Sequence, residues 1–146
     1  MNLLDRISKN IQTLDCNECM GLQQLPQLPS SLKVLNCSGC QHLQQLPQLP
    51  FSLKELNCSK CYGLQQLPQL PPSLMVLDCK ECSGLQKLPR LPASLKELNC
   101  SSSDLQQLPQ LPPSLTVLIC NHCSGLRLPQ LPSSLKKLNC SLCQGL

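Results

Sequence analysis

Apolar and polar positions recur along this chain with a 21-residue period from Ile11 to the last residue. Starting at Leu53, one period is LKELNCSKCYGLQQLPQLPPS, or L-x-x-L-x-C-x-x-C-x-x-L-x-x-L-P-x-L-P-x-S. Successive units begin at Ile11, Leu32, Leu53, Leu74, Leu95, Leu115 and Leu135. In the first half of a unit, Leu53, Leu56 and Cys58 must point inward, whereas Lys54, Glu55 and Asn57 can face water. That pattern predicts a short strand. In the second half, Pro68 and Pro71 remove backbone donors and favour extended, polyproline-like geometry over helix. A serine (Ser52, Ser73, Ser94, Ser114, Ser134) precedes each new strand, where its hydroxyl can satisfy the backbone of a turn. One such unit has too little core to fold alone, so the units must stack.

The series is nearly uniform, and its exceptions are local. The fifth unit loses one residue where CSSSDL replaces the longer C-x-x-C-x-G-L, and the sixth loses one where LRLP replaces LQQLP. No linker or charge run interrupts it. The expected organisation is an N-terminal cap over residues 1–10 and a seven-unit array over 11–146, its last unit truncated.

A 20–29-residue period of L-x-x-L-x-L-x-x-(N or C)-x-L marks the leucine-rich repeat. From residue 11 onwards the chain resembles that family. Its P-x-L-P half is similar to the short repeats of bacterial effectors, and its N-C-S-x-C-x-x-L run to repeats of plant disease-resistance receptors and giant-virus proteins. The resemblance implies a leucine-rich-repeat solenoid, with short parallel β-strands on the concave face and an extended, non-helical convex side. Leu3, Leu4 and Ile7, at helical spacing, are expected to form a short helical cap. The last strand, near Leu135 to Asn139, is expected to leave an open edge. Lys136 and Lys137 could guard that edge, or a second chain could stack on it.

Composition narrows the function. Phe51 and Tyr62 are the only aromatic residues, which suits a thin solenoid better than a compact globule. The net charge of +4 comes from 12 basic and 8 acidic residues spread along the chain. Without stacking platforms this points away from nucleic acid. No run of apolar residues is long enough for a membrane span. Asp5, Arg6 and Lys9 interrupt what would be the apolar region of a signal peptide. A cytoplasmic, reducing location is therefore expected. There the 13 cysteines would not form a disulfide framework.

Stacking turns each repeat position into a surface stripe. The concave candidates for partner binding are Lys33, Lys54 and Lys96 in one stripe and Asn36, Asn57, Asp78 and Asn99 in another. The family commonly uses this face for protein partners. The plainer expectation is a solvated strand face with amide hydrogen bonds between rungs, because such uniform stripes encode little specificity. Gln44, Gln45 and Gln48 would form similar ladders on the convex side.

Six units carry C-x-x-C: Cys16/Cys19, Cys37/Cys40, Cys58/Cys61, Cys79/Cys82, Cys120/Cys123 and Cys140/Cys143. The fifth has Cys100 with Ser103 in the partner slot. As small, weakly polar residues they suit the interior positions of a repeat. Two stacked pairs would also bring four thiols together, the ligand set of a zinc or iron–sulfur site, and two-coordinate Cu(I) is a further possibility. Charge opposes this, since a Cys₄ zinc site carries about −2 and no inward cation is at hand. His42 and His122 fit surface positions.

No Ser/His/Asp set, carboxylate pair or phosphate loop is present, so no enzyme is expected. Two functions remain: a scaffold for protein contacts or self-association, and a thiolate metal protein for storage or electron transfer.

Overall fold

The computed structural model describes residues 7–143. Each repeat contributes one three-residue strand: β1 (Thr13–Asp15), β2 (Val34–Asn36), β3 (Glu55–Asn57), β4 (Val76–Asp78), β5 (Glu97–Asn99), β6 (Val117–Ile119) and β7 (Lys137–Asn139). They form one parallel sheet in chain order. Register is one repeat per rung, so that Leu14, Leu35, Leu56, Leu77, Leu98, Leu118 and Leu138 align as a single column. The middle residue of each strand from β1 to β6 is buried and its neighbours face outward. Alternation along a strand therefore works over three residues.

Leucine and cysteine fill the interior. Leu32, Leu53, Leu74 and Leu95 are fully buried, as are Leu43, Leu64, Leu85 and Leu105 behind them. Both aromatic rings lie outside, with Phe51 76% and Tyr62 43% exposed. The second half of each unit is extended, as the prolines predict. Instead of amide side-chain ladders, the convex glutamines use their backbone: Gln44 N–H donates to Gln23 O at 3.1 Å, and Gln24 pairs with Gln45 in a parallel bridge.

Two devices close each corner. The N–H of the first leucine reaches the proline carbonyl three residues earlier, as in Leu53 to Pro50 O at 3.1 Å. The serine hydroxyl donates to the first carbonyl of the preceding rung: Ser52 to Leu32 O at 2.6 Å, Ser114 to Leu95 O at 2.6 Å, Ser134 to Leu115 O at 2.7 Å. The expected turn role of these serines is thus an inter-rung bond.

The helical cap expected over residues 1–10 is corrected where it can be described. Residues 7–10 are not helical: Lys9 and Asn10 form a turn in which Ile11 N–H donates to Ser8 O at 3.2 Å. Ser8 Oγ also accepts from Asn10 N–H, and this local side-chain bond competes with helix. Ile7 packs partly buried against the core, whereas Leu3 and Leu4 lie outside the described residues. Among the described residues no helix is long and apolar enough to cross a membrane.

One backbone feature recurs in every unit. The eighth residue adopts positive φ: Glu18 (57°), Gly39 (74°), Lys60 (59°), Glu81 (56°), Ser102 (54°), His122 (58°) and Leu142 (58°). This left-handed kink aims its N–H at the next rung, where Gly39 donates to Ser59 O at 2.8 Å and Lys60 to Lys80 O at 2.9 Å. For a residue with a side chain the conformation costs about 1 kcal/mol, and the inter-rung bond offsets it. Lys60→Gly should therefore raise stability by about 0.5–1 kcal/mol, whereas Gly39→Ala should lower it by about 1 kcal/mol. A Cβ at position 39 would also lie 3.2 Å from Glu18 Cγ. Urea midpoints check both signs, and a neutral or inverted pair would contradict the proposed strain.

Candidate functional site

The sixth-position cysteines stand directly behind the sheet. Cys37, Cys58, Cys79, Cys100 and Cys120 are fully buried, and Cys16 is nearly so. Their N–H groups continue the ladder beyond the strands, as in Cys37 to Asn57 O at 2.8 Å. The left-handed eighth residue then turns the ninth side chain inward, where Cys40, Cys61, Cys82 and Cys123 are also fully buried.

Each of these ninth-position thiols has a defined partner. Its Sγ donates to the sixth-position carbonyl of the preceding rung: Cys40 to Cys16 O at 3.0 Å, Cys61 to Cys37 O at 3.0 Å and Cys82 to Cys58 O at 2.9 Å. The series resumes with Cys123 to Cys100 O at 3.3 Å and Cys143 to Cys120 O at 2.8 Å. C-x-x-C is therefore not the structural pair. The partners lie diagonally across two rungs, and the thiol performs the carbonyl-satisfying work of a small polar side chain. The shortened fifth unit changes this locally. Ser103 Oγ donates at 2.7 Å to Cys100 O of its own unit and lies 3.6 Å from Cys123 Sγ. Cys19, in the first unit, is exposed.

Electrostatics holds the proton on the sixth-position thiols from Cys16 to Cys120. Burial first, then the neighbouring Cys40, pushes the Cys16 thiol up to about 12. Burial, then Cys143, does the same to Cys120. Burial raises Cys79 and Cys100 well above the ordinary value. Cys37 and Cys58 are raised chiefly by hydrogen bonds with the diagonal thiols of Cys61 and Cys82. Cys61 moves the other way, because the same bond from Cys37 favours its ionised form.

A thiolate metal site needs the opposite arrangement, with several deprotonated sulfurs converging on one point. Among the described residues no group of three or more Cys, His, Asp or Glu side chains converges in that way. The ninth-position sulfurs face carbonyl oxygens, which would repel a thiolate and which a metal would have to displace. Of the candidate ligands, Cys16, Cys19, Cys37, Cys40, Cys58, Cys61, Cys79, Cys82, Cys120, Cys123, Cys140 and Cys143, all are free thiols. Among the described residues the thiols thus do not offer the three or four converging ligands of a zinc or iron–sulfur site. His42 and His122 are exposed.

On the concave side Lys33, Lys54 and Lys96 are exposed in one stripe. Asn36, Asn57, Asp78 and Asn99 are half-buried, and their Oδ1 atoms accept from the N–H two residues on, at 3.1, 3.0, 3.1 and 3.1 Å. They are Asx-type turn caps within each rung. The expected amide bonds between rungs are confined here to Asn121, whose Oδ1 accepts from Ser101 Oγ at 2.7 Å.

The corner of the solenoid holds two shallow grooves that the repeat pattern did not single out. One, of about 820 Å³, runs over units two to five and is lined in part by Phe51, Leu70, Pro72, Arg90, Ala93 and Pro113. The other, of about 860 Å³, lies on the opposite side of Phe51 and reaches back to Ile7 and Lys9. The available signal was departure from the stripe. Phe51 stands where other units have Ser, Pro or Ala, and Arg90 stands where the others have Gln.

No protein-family model and no curated protein matches the chain. Solved structures do. YopM from Yersinia enterocolitica WA-314 superposes with a TM-score of 0.76 and 39% identity, over 82% of this chain and 26% of that one. A Shigella effector leucine-rich-repeat domain gives a TM-score of 0.77 and 27% identity, over 98% of this chain and 75% of that domain. YopM from Yersinia pestis, titled a leucine-rich effector protein, gives 0.75 and 31%, over 90% of this chain and 43% of that one. The chain thus spans about a quarter of one YopM chain and under half of the other. Repeat period, parallel sheet, extended convex side and these superpositions agree: the chain is a leucine-rich-repeat protein whose solenoid is similar to that of these bacterial effectors.

Proposed function

We propose that the chain is a non-enzymatic scaffold that works through protein–protein contacts, with the thiol ladder serving the frame and not a metal or a reaction. The carrying observation is the division of labour across the sheet. Leucine and cysteine fill the inside, while the outward positions form an uninterrupted seven-strand surface in register. Lys33, Lys54 and Lys96 supply its exposed cations, and Asn36, Asn57, Asp78 and Asn99 hold its turns. Free, mostly buried thiols suit a reducing, cytoplasmic setting.

Self-association belongs to the same reading. On the last described rung Leu138 is 40% exposed, although its equivalents in the strand column are buried, and Leu142 beside it is 70% exposed. In a polypeptide that ends at Leu146, a second copy could cover this rung and extend the sheet.

A photo-crosslinking residue at position 54 should trap a discrete protein from an extract of the source organism, whereas one at convex Gln66 should not. At position 142 it should yield a chain–chain dimer. Equal, unspecific labelling from 54 and 66 would contradict the scaffold reading, and no dimer from 142 would remove self-association.

The frame role of the thiols has a pH consequence. In the unfolded chain a thiol ionises near its ordinary value of 9.0, whereas Cys16 and Cys120 hold their protons to about 12 when folded. The unfolded state therefore releases protons first. Stability should be level below about pH 8 and fall as pH rises from 9 towards 12, with Cys16 and Cys120 each adding to the slope. Urea titrations should show a shallower alkaline fall in a Cys16→Ala/Cys120→Ala variant. An unchanged slope would contradict the assignment.

A further inference from the structure

We infer that the corner groove beside Phe51 is a docking site for an extended peptide that carries a bulky apolar side chain and, within the same segment, a carboxylate. The inference rests on the protein-contact reading and names a partner chemistry for it, on a face separate from the concave stripes.

Departure from the repeat comes first. In a stacked array, the residue at each slot is set by what the rung requires, and here the requirement is loose. The slot before the corner serine reads Ser30, Phe51, Pro72, Ala93, Pro113 and Ser133. The slot between the two prolines reads Gln27, Gln48, Gln69, Arg90, Gln110 and Gln130. Rungs with serine or glutamine in these places fold alike, so neither the phenylalanine nor the arginine is needed for stacking. Both line the same groove.

Chemistry comes second. Phe51 leaves 76% of its surface in water, beside Pro72, Ala93 and Pro113, in a chain that otherwise has one aromatic residue. A contiguous exposed apolar surface of this kind marks an interaction site more often than a structural need. Proline contributes no N–H, so the groove wall is poor in donors and favours a partner whose own main chain donates.

Charge complementarity comes third. Among the described residues, Arg90 is the one charged residue lining this groove and Lys9 the one lining the groove on the far side of Phe51. The guanidinium fork favours a carboxylate. Phe51 and Arg90 belong to the second and fourth units, two rungs apart along the array, and to slots three residues apart across it. A segment that meets both must cross the groove obliquely.

The experiment is selection from a random peptide display library on the full chain, with counter-selection on a Phe51→Ser/Arg90→Gln variant. Both changes restore residues common in their stripes, and equal urea midpoints would establish that the fold is intact. Enriched peptides should pair an apolar residue with Asp or Glu, and should lose affinity about tenfold or more on Phe51→Ser. Arg90→Gln should weaken only peptides that retain the acid. Binding should survive Lys33→Gln/Lys54→Gln/Lys96→Gln on the concave face. Peptides that bind the groove variant equally well would overturn the inference, as would a selection that enriches nothing. Peptides lost only on the concave variant would also overturn it, while leaving the scaffold reading standing. A chain–chain dimer abolished by Phe51→Ser would assign the groove to a second copy instead.

Discussion

Every rung of this protein must offer the same backbone donors and acceptors to the next, and that condition governs the rest of the structure. The strands are only three residues long, so their own pairing is a small part of the connection between units. The ladder is extended by bonds outside them: the sixth and eighth N–H groups on one side and the corner serines on the other. A repeat that satisfies all these bonds can tolerate wide variation on its outer face. A repeat that shortens, as the fifth and sixth do, must still present them, and Cys100 and Cys120 keep their ladder bonds at 2.8 Å.

The same condition explains the cysteines without an external ligand. A leucine in the ninth slot would leave the preceding rung's carbonyl without a donor inside an apolar interior, at about 1–3 kcal/mol. A thiol is small enough to be fully buried and carries one proton to donate. Ser103 departs from this series, because its hydroxyl turns to the Cys100 carbonyl of its own unit. Such a ladder favours protonated sulfur, which is the electrostatic opposite of a metal-binding array.

Much of the fold was legible in the residues. The leucine period predicts the sheet, its register and the buried column. Pro68 and Pro71 predict the extended convex side, and the serines predict a hydroxyl bond at each corner. Other features were hidden for identifiable reasons. Glu18, Lys60, Glu81 and His122 occupy left-handed positions where glycine would have announced the kink, and only Gly39 does so among the first three units. C-x-x-C spacing suggested partners within a unit, whereas that kink sends the ninth thiol to the preceding rung. The amides of Asn36 and Asn57 looked like inter-rung ligands, yet an N–H two residues away is nearer than the next rung. The corner groove arises from slots that the rung leaves free, so it could be seen only as departures from an otherwise regular stripe.

The central claim is that the cysteines form a protonated, hydrogen-bonded frame, and one measurement addresses it most directly: elemental analysis of anaerobically purified protein with a thiol count after unfolding. The account predicts thirteen reactive thiols per chain and no stoichiometric metal. Zinc, copper or iron bound in fixed ratio to the chain, with a matching loss of reactive thiols, would contradict it.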